Sequence, residues 1–421
     1  MSKITAGFAL LATSALALTG CTPEAALIRD STLKTMENTS YQFSSTMKLT
    51  GNFADELKKD KTFTPENASI LESVMSGVTI EGTQTDLTSG KYTITLNNDK
   101  ALRDNKLWTG DKKASVEMIV DNSDLYIKSA LDKKYLNMNN DTMYGETFTL
   151  SPEEMKKFNQ EVNELSMKFA RNYVKGFDFK GTKVENKGEK TVKLPNGEEV
   201  KTTHVAVSLD TNKLIDLVYY VAKDGIVNPE VRTFAIDVAT LGNKMDDQMQ
   251  KLPLKKDEEY RKEATTQVDT LLAEAKVGFA ELEKEYTPAK LAEEAKKAGL
   301  EDLNITLEYY VDKNKLPVRT TSTFDLKVKN TEEKDAKSMT VGFAVDTYAW
   351  NFGKTNPYTK PGKNDFVTVD DLKKDKEAIK NFDEKGFFHQ FVKSVSTDFD
   401  FETLEEEAVE TKATTPAPAT K

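Results

Sequence analysis

Apolar and polar residues alternate on both sides of a long helical stretch, and this pattern restricts the fold more than any other feature of the chain. In the first such segment, Tyr41, Phe43, Met47 and Leu49 are separated by polar residues. The same period of two returns after residue 300, in the segments 305–311, 316–328 and 339–345. A period of two predicts a strand with one buried face. Strands that are apolar on one face only are typical of an antiparallel sheet.

The chain between these segments is predicted to be helical from residue 210 to residue 299. Asp210 and Asn228-Pro229 are residue types that begin helices, and Gly299 is a type that ends one. An earlier helix is predicted from Ser151-Pro152, because a serine N-cap precedes proline in the first turn. Strands before and after a helical block favour an α+β fold: one long antiparallel sheet with helices packed on one face. Two separate α+β halves, joined near residue 150 or 253, are the alternative.

Two of the predicted helices carry an apolar stripe at a spacing of three and four residues, which predicts that one side of each is buried. The first stripe consists of Met155, Phe158, Val162, Leu165 and Phe169. The second consists of Val231, Phe234, Val238, Leu241, Met245 and Met249. Methionine adapts to irregular apolar shapes. The stripes are expected to cover the apolar side of the sheet, either packed closely on it or standing off it over a pocket.

The N-terminus has the layout of a secretory signal. Lys3 is the only charged residue among the first twenty, and an apolar run from Ile4 to Leu18 is too short to span a membrane. The run closes in Leu18-Thr19-Gly20-Cys21, which resembles the lipobox of bacterial lipoproteins. The resemblance implies cleavage before Cys21 and attachment of a diacylglyceryl group to its thiol. Cys21 is therefore the expected lipid-attachment site, and a cysteine inside an uncleaved signal is the alternative.

Composition limits the partners of this chain. It has 69 acidic and 59 basic residues and a net charge of −10, which becomes −11 without residues 1–20 because that segment contains one lysine and no acid. An acidic surface disfavours nucleic acid. A single cysteine cannot form an intramolecular disulfide, so an exported protein of this kind depends on its core. We expect a membrane partner through the lipid anchor and no nucleic-acid partner.

No motif in the sequence specifies a reaction or a cofactor. His204 and His389 have no other histidine and no cysteine nearby, which a zinc site would need. Ser31 and Ser45 each begin a Ser-x-x-Lys match without the companion motifs of the penicillin-binding enzymes. Oxygen ligands occur at 312–314 and 137–141, but without the spacing or the glycine of a calcium loop. We predict no catalytic residue, no metal, no cofactor and no enzyme activity, and the ligand-binding residues stay unknown.

Several segments together resemble the LolA/LppX-like lipoproteins and their uncharacterised Gram-positive relatives. These segments are Tyr41-Gln42-Phe43-Ser44-Ser45, Leu125-Tyr126-Ile127-Lys128, Tyr309-Tyr310-Val311-Asp312-Lys313 and Leu316-Pro317-Val318-Arg319. The resemblance implies a curved antiparallel half-barrel whose mouth is covered by helices, with an apolar hollow that carries lipids or acylated proteins. The family has no catalytic signature to transfer.

These observations predict a signal peptide at 1–20, a single LolA/LppX-like domain at 21–404 with its helical block at 210–299, and a disordered acidic and Thr/Ala/Pro-rich tail at 405–421. Six phenylalanines within 382–401 are expected to pack on the core, or else to plug the hollow or contact a partner. The predicted function is a lipid-anchored protein on the outer face of a Gram-positive cell membrane that binds an apolar ligand such as lipid. A structural or partner-binding lipoprotein with a filled core is the alternative.

Overall fold

The computed structural model describes residues 22–53, 64–121, 124–138, 152–331, 337–354, 356–386, 388, 389 and 392. The predicted signal peptide, Cys21, the N-cap Ser151 and the tail 405–421 lie outside these residues.

Twelve strands run through this part of the chain. They are β1 (Tyr41–Gly51), β2 (Val78–Gln84), β3 (Ser89–Leu96), β4 (Ser115–Asp121), β5 (Asp124–Ser129), β6 (Tyr135–Met138), β7 (Lys183–Lys193), β8 (Glu199–Leu209), β9 (Leu300–Asp312), β10 (Pro317–Val328), β11 (Met339–Trp350) and β12 (Phe366–Thr368).

The helices lie before, between and after these strands. They are α1 (Pro23–Glu37), α2 (Pro65–Met75), α3 (Lys100–Asp104), α4 (Pro152–Gly176), α5 (Thr211–Val227), α6 (Pro229–Met249), α7 (Asp257–Glu285), α8 (Pro288–Lys297) and α9 (Val369–Lys374), and a 3₁₀ helix follows at Lys376–Asn381.

All twelve strands belong to one open sheet. Their order is β12-β6-β5-β4-β3-β2-β1-β11-β10-β9-β8-β7, and each pair is antiparallel except β12 with β6. The strands β12 and β7 are the two edges, so the sheet is not closed into a barrel. The predicted α+β class with a large antiparallel sheet is confirmed, and strands from before and after the helical block share the sheet.

Local residue choices explain where the helices begin. The side chains of Asp210 and Asn228 accept hydrogen bonds from the first turns of α5 and α6, and Thr287 does the same for α8. Gly299 follows α8 with a φ of +101°, a conformation that costs glycine little. The helix starts predicted at Asp210 and Asn228 are therefore correct.

The register gives the sheet one apolar face and one face that carries the charged side chains, here called the polar face. In β4–β6 this second face also holds a buried cluster of Ile119, Tyr126 and Tyr135, packed against Tyr358 and Phe366. Tyr41, Phe43, Met47 and Leu49 lie on the apolar face, and the residues paired with them on β2 and β11 continue it. In the strands β1–β6 and β9–β11, none of the paired positions on this face is an acidic or basic residue or a histidine. The charged side chains of these strands stand on the polar face.

Helices pack on the apolar face at one end of the sheet. Ile28 of α1 is fully buried among apolar residues of β8 and β9: Val205, Val207, Leu307, Tyr309 and Val311. Beside it, Val174 of α4 and Leu217 of α5 share a cluster with Leu209. At the other end, a segment after β12 covers Leu136, with Phe382 at 1 % exposure and Phe388 at 5 %. Both of these phenylalanines pack on the core, whereas Phe387, Phe391, Phe399 and Phe401 lie outside the described residues.

The helices α6 and α7 pack on other helices. Ile236 of α6 is buried against Ala264 and Val268 of α7, and Phe234 stacks on Phe169 of α4 with the ring centres 4.4 Å apart. Val238, part of the predicted buried stripe, is 36 % exposed. The predicted stripe was therefore only partly correct, because α6 lies between two helices and Ile236, outside the stripe, is its fully buried residue.

Along the described part of the chain, we find no helix with both the length and the apolar character needed to cross a membrane.

Candidate functional site: the uncovered part of the apolar face

Between the two ends described above, the apolar face of the sheet is half-buried in the part of the chain that the structure describes, with α2 in contact with β1. The residues of this area, here called the apolar strip, are Phe43, Met47, Leu49, Ile80, Ile94, Phe324, Leu326, Val341, Phe343 and Val345. Phe343 is the most open of them at 37 % exposure. Contiguous apolar surface of this kind marks interaction sites or ligand grooves in soluble proteins.

Cross-strand pairing makes the apolar strip continuous. Leu49 lies opposite Phe343 and Phe343 opposite Phe324, and the two rings stack with centres 5.1 Å apart. Met47 lies opposite Val345 in the next row. Side chains directly opposite each other on antiparallel strands are in contact distance. The strip therefore presents one surface to a ligand.

Aromatic rings border the strip at the end where β1 begins. Tyr41 contacts both Phe352 and Phe43, with ring centres 5.6 Å and 6.0 Å away, and Phe43 lies 6.0 Å from Tyr92. The hydroxyl of Tyr92 donates a 2.6 Å hydrogen bond to Gln84. Burial raises the pKa of Tyr41 and of Tyr92, so both phenols stay neutral.

Gly82 allows these rings to approach one another. A Cβ atom at this position would lie 2.8 Å from the Phe43 ring, 2.8 Å from the Tyr92 ring and 2.9 Å from the Lys91 carbonyl oxygen. A contact below 3.0 Å with two rings and a backbone atom requires them to shift. The absence of a side chain at Gly82 is therefore a condition of the aromatic border.

Four hydroxyl groups interrupt the strip near its middle: Ser45, Thr347 and Thr320 lie in one row, and Ser322 lies beside Val345 in the next row. Ser45 and Thr347 lie opposite each other and share a 2.8 Å hydrogen bond. This bond satisfies groups that would otherwise be unpaired within an apolar surface. It also accounts for Ser45, which sits in a Ser-x-x-Lys match and has no catalytic arrangement here.

The polar face carries a row of stacked side chains across β8–β11, here called the polar ladder: His204, Tyr310, Arg319 and Tyr348. The His204 and Tyr310 rings are parallel with centres 4.2 Å apart, and the Arg319 guanidinium lies 4.9 Å from the Tyr310 ring and 5.2 Å from the Tyr348 ring. Arg319 also donates to both oxygens of Asp346, over 2.9 and 3.0 Å. These contacts hold four strands together, which is a structural role.

Burial sets the charge state of His204 in the polar ladder. His204 is 8 % exposed, neither ring nitrogen has a hydrogen-bond partner, and Nε2 lies 3.5 Å from a Glu308 oxygen. Burial lowers the pKa of His204 below its usual value, while Glu308 opposes this shift and the nearby Lys190 and Lys187 add to it. His204 is therefore a buried, neutral histidine.

The remaining sequence candidates have structural roles. His389 Nδ1 lies 3.0 Å from the Phe382 carbonyl oxygen, and the Ser31 side chain is buried in α1. Asp312 accepts hydrogen bonds from the backbone N–H groups of Asn314 and Leu316, so it shapes the β9–β10 turn. Part of the segment 137–141 lies outside the described residues. No cluster of three metal-ligating side chains occurs in the ranges that the structure describes.

No known protein family, curated protein or solved structure matches this chain.

Replacing Gly82 with alanine should destabilise the protein by about 1–3 kcal/mol, because the new methyl group overpacks the aromatic border. Urea unfolding of the Gly82→Ala variant measures this loss. Gly242→Ala in α6 is the matched control: a Cβ there meets nothing within 4 Å, and the change should stabilise the helix by up to about 1 kcal/mol. A Gly82→Ala variant as stable as the parent would contradict the packing described here.

The buried neutral His204 should make the folded state sensitive to acid. Because the pKa of His204 is lower in the folded state, its contribution is present above the unfolded value of 6.5 and is lost as the pH falls below it. Each unit of depression in the pKa costs about 1.4 kcal/mol at low pH.

The measurement is the free energy of unfolding from about pH 7 to about pH 5, in the parent and in a His204→Phe variant that keeps the ring stack. The variant should lose less stability on acidification. Thr203→Val, one residue away on the opposite face, should keep the parent's pH dependence. Parallel curves for parent and His204→Phe would show that His204 is not the acid-sensitive group.

Proposed function

We propose that the protein is an extracytoplasmic lipoprotein, held on the outer face of the cell membrane through Cys21, that binds or carries an apolar ligand such as a lipid. The observation that carries this proposal is the apolar strip: ten apolar side chains, none of them buried, between two well-covered ends of the same face. The proposal includes no catalytic activity, no metal and no cofactor.

Energetics favour a ligand for this surface. Fully burying a Leu, Phe or Met side chain stabilises a protein by about 1.5–3 kcal/mol relative to leaving it exposed. A chain that leaves ten such side chains half-open gives up part of this stabilisation, and a ligand of the right shape recovers it. Acyl chains match a surface whose strand positions carry no charged side chain.

The helices α4 and α6 also carry half-buried apolar side chains. Phe158, Val162 and Leu165 of α4 are half-buried, as are Phe169 and Phe234, which stack on each other. If helices cover a ligand-binding pocket on the sheet, the carrier hypothesis requires their apolar side chains to be partly exposed. The resemblance to LolA/LppX-like lipoproteins is part of this proposal and rests on the sequence segments alone.

The alternative is a structural or partner-binding lipoprotein with a filled core and no ligand. The closely packed clusters at the two ends of the apolar face are consistent with it. The two functions differ in what occupies the apolar strip in the native protein.

A change of Cys21 to alanine should release the protein from the membrane fraction or leave an uncut precursor, since the acyl chains provide the anchoring. Cell fractionation and the mass of the N-terminal peptide measure this. Thr22→Ala is the control, because it leaves the thiol in place. Complete cleavage and unchanged fractionation of Cys21→Ala would contradict the anchor.

Native mass spectrometry of the detergent-free mature protein should show the extra mass of a bound lipid. The variant Met47→Lys places an ammonium group at the centre of the apolar strip and should lose that mass, because burying a charge against acyl chains is costly. Thr323→Lys puts the same side chain on an exposed position of the polar face and should retain it. A parent protein with no extra mass would favour the filled-core alternative.

A further inference from the structure

The folded domain begins immediately after the proposed lipid-attachment site. Thr22 is the N-cap of α1, with its hydroxyl accepting a 3.2 Å hydrogen bond from Ala25, and its carbonyl oxygen accepts a 2.9 Å bond from Ala26. Only Thr22 separates Cys21 from the first helical residue. One extended residue spans at most about 3.6 Å. An acyl anchor on Cys21 would therefore hold the start of α1 at the membrane surface.

The helix α1 lies on the apolar side of the sheet. Ile28 is buried against the apolar face of β8 and β9, while Glu24 lies 3.5 Å from Asn186 of the edge strand β7. Asp30 forms a 2.7 Å ion pair with Lys315 in the β9–β10 turn. These three contacts fix both the side of the sheet and the direction of the helix. The anchor therefore leaves the domain from the side that carries the apolar strip.

The two faces of the sheet differ sharply near the open part of that strip. Leu49, Phe324 and Phe343 form one row on the apolar face, and Phe343 is exposed. The neighbouring residues Lys48 and Asp325 point to the opposite face and are exposed there. The apolar row can be placed among acyl chains at little cost, whereas the charged side chains of Lys48 and Asp325 must stay hydrated.

We propose that the apolar row of Leu49, Phe324 and Phe343 docks on the membrane leaflet that holds the anchor, so that the apolar strip takes its ligand from that leaflet. This inference rests on the proposed function for the position of the anchor. The proposed occupant of this row is the lipid surface itself. Only one residue, Thr22, links the anchor to α1, α1 is fixed on the apolar side of the sheet, and the row carries no charge. Edge-on attachment with the strip facing solvent is the arrangement that this proposal excludes.

The experiment places a dye on each face of a tethered protein. The mature chain is prepared with a polyhistidine tag in place of residues 1–21, which removes the only cysteine. It is bound to phosphatidylcholine vesicles that contain a nickel-chelating lipid. A single cysteine is introduced by Phe343→Cys or, as the matched control on the polar face, by Thr323→Cys, and is labelled with an environment-sensitive dye. Brominated phosphatidylcholine then reports contact with acyl chains.

The dye at position 343 should be quenched several-fold by the brominated lipid, and the dye at position 323 should stay at the background of the unbound dye. Leu49→Cys and Lys48→Cys form a second pair on β1, which keeps the test valid if Phe343→Cys does not fold. Equal quenching on both faces, or no quenching at positions 343 and 49, would overturn the proposal.

The tag replaces the acyl anchor, so the result does not depend on whether Cys21 is acylated. Quenching confined to positions 343 and 49, without a copurifying lipid, would support membrane docking and count against the carrier function. A copurifying lipid, without quenching of the dye at positions 343 and 49, would overturn the docking proposal and leave the carrier function supported.

Discussion

The pairing of β1 with β11 holds the sheet together as one unit. Strands β2–β6 and β12 reach the rest of the sheet only through β1, and β7–β10 reach it only through β11. Gln42 and Trp350, which face each other in this pair, are 308 residues apart in the sequence. Loop-closure entropy rises only slowly with loop length, so the equilibrium cost is modest. Folding is affected more strongly, because distant pairings form late.

Side chains fix the register of this pair along its length. The side-chain oxygen Oε1 of Gln42 accepts hydrogen bonds from the side chains of Trp350 and Asn351 over 2.9 and 2.7 Å, and Asn52 exchanges hydrogen bonds with Thr340 at the other end. A slip of one residue would move every apolar side chain of β1 to the polar face. The specific polar contacts at both ends therefore protect the separation of the two faces on which the candidate site depends.

The sequence was sufficient to predict the elements that depend on local chemistry. Alternation located β1, β9, β10 and β11, and the caps at Asp210 and Asn228 located two helix starts. The sequence could not show which strands pair in the sheet, because period-two alternation carries no information about the neighbouring strand. It also overestimated the cover of the apolar face: spacing predicts that Val238 is buried, whereas the actual burial of α6 depends on which helices flank it. The exposure of Phe343 was missed for the same reason: how far a side chain is buried depends on tertiary packing, which the spacing of residues does not show.

The edge strand β7 has a consequence for a protein that is confined to a surface. Its pairing with β8 is interrupted by a bulge between Asn186 and Gly188, and residues 186–191, with Lys187, Glu189 and Lys190 among them, are exposed. Molecules held on a membrane meet in two dimensions at high local density, where a straight, uncharged edge would recruit the sheet of a neighbour and start a fibre. A bent and highly charged edge makes such collisions unproductive, so a protein anchored as proposed above would be crowded on a bilayer without polymerising through this edge.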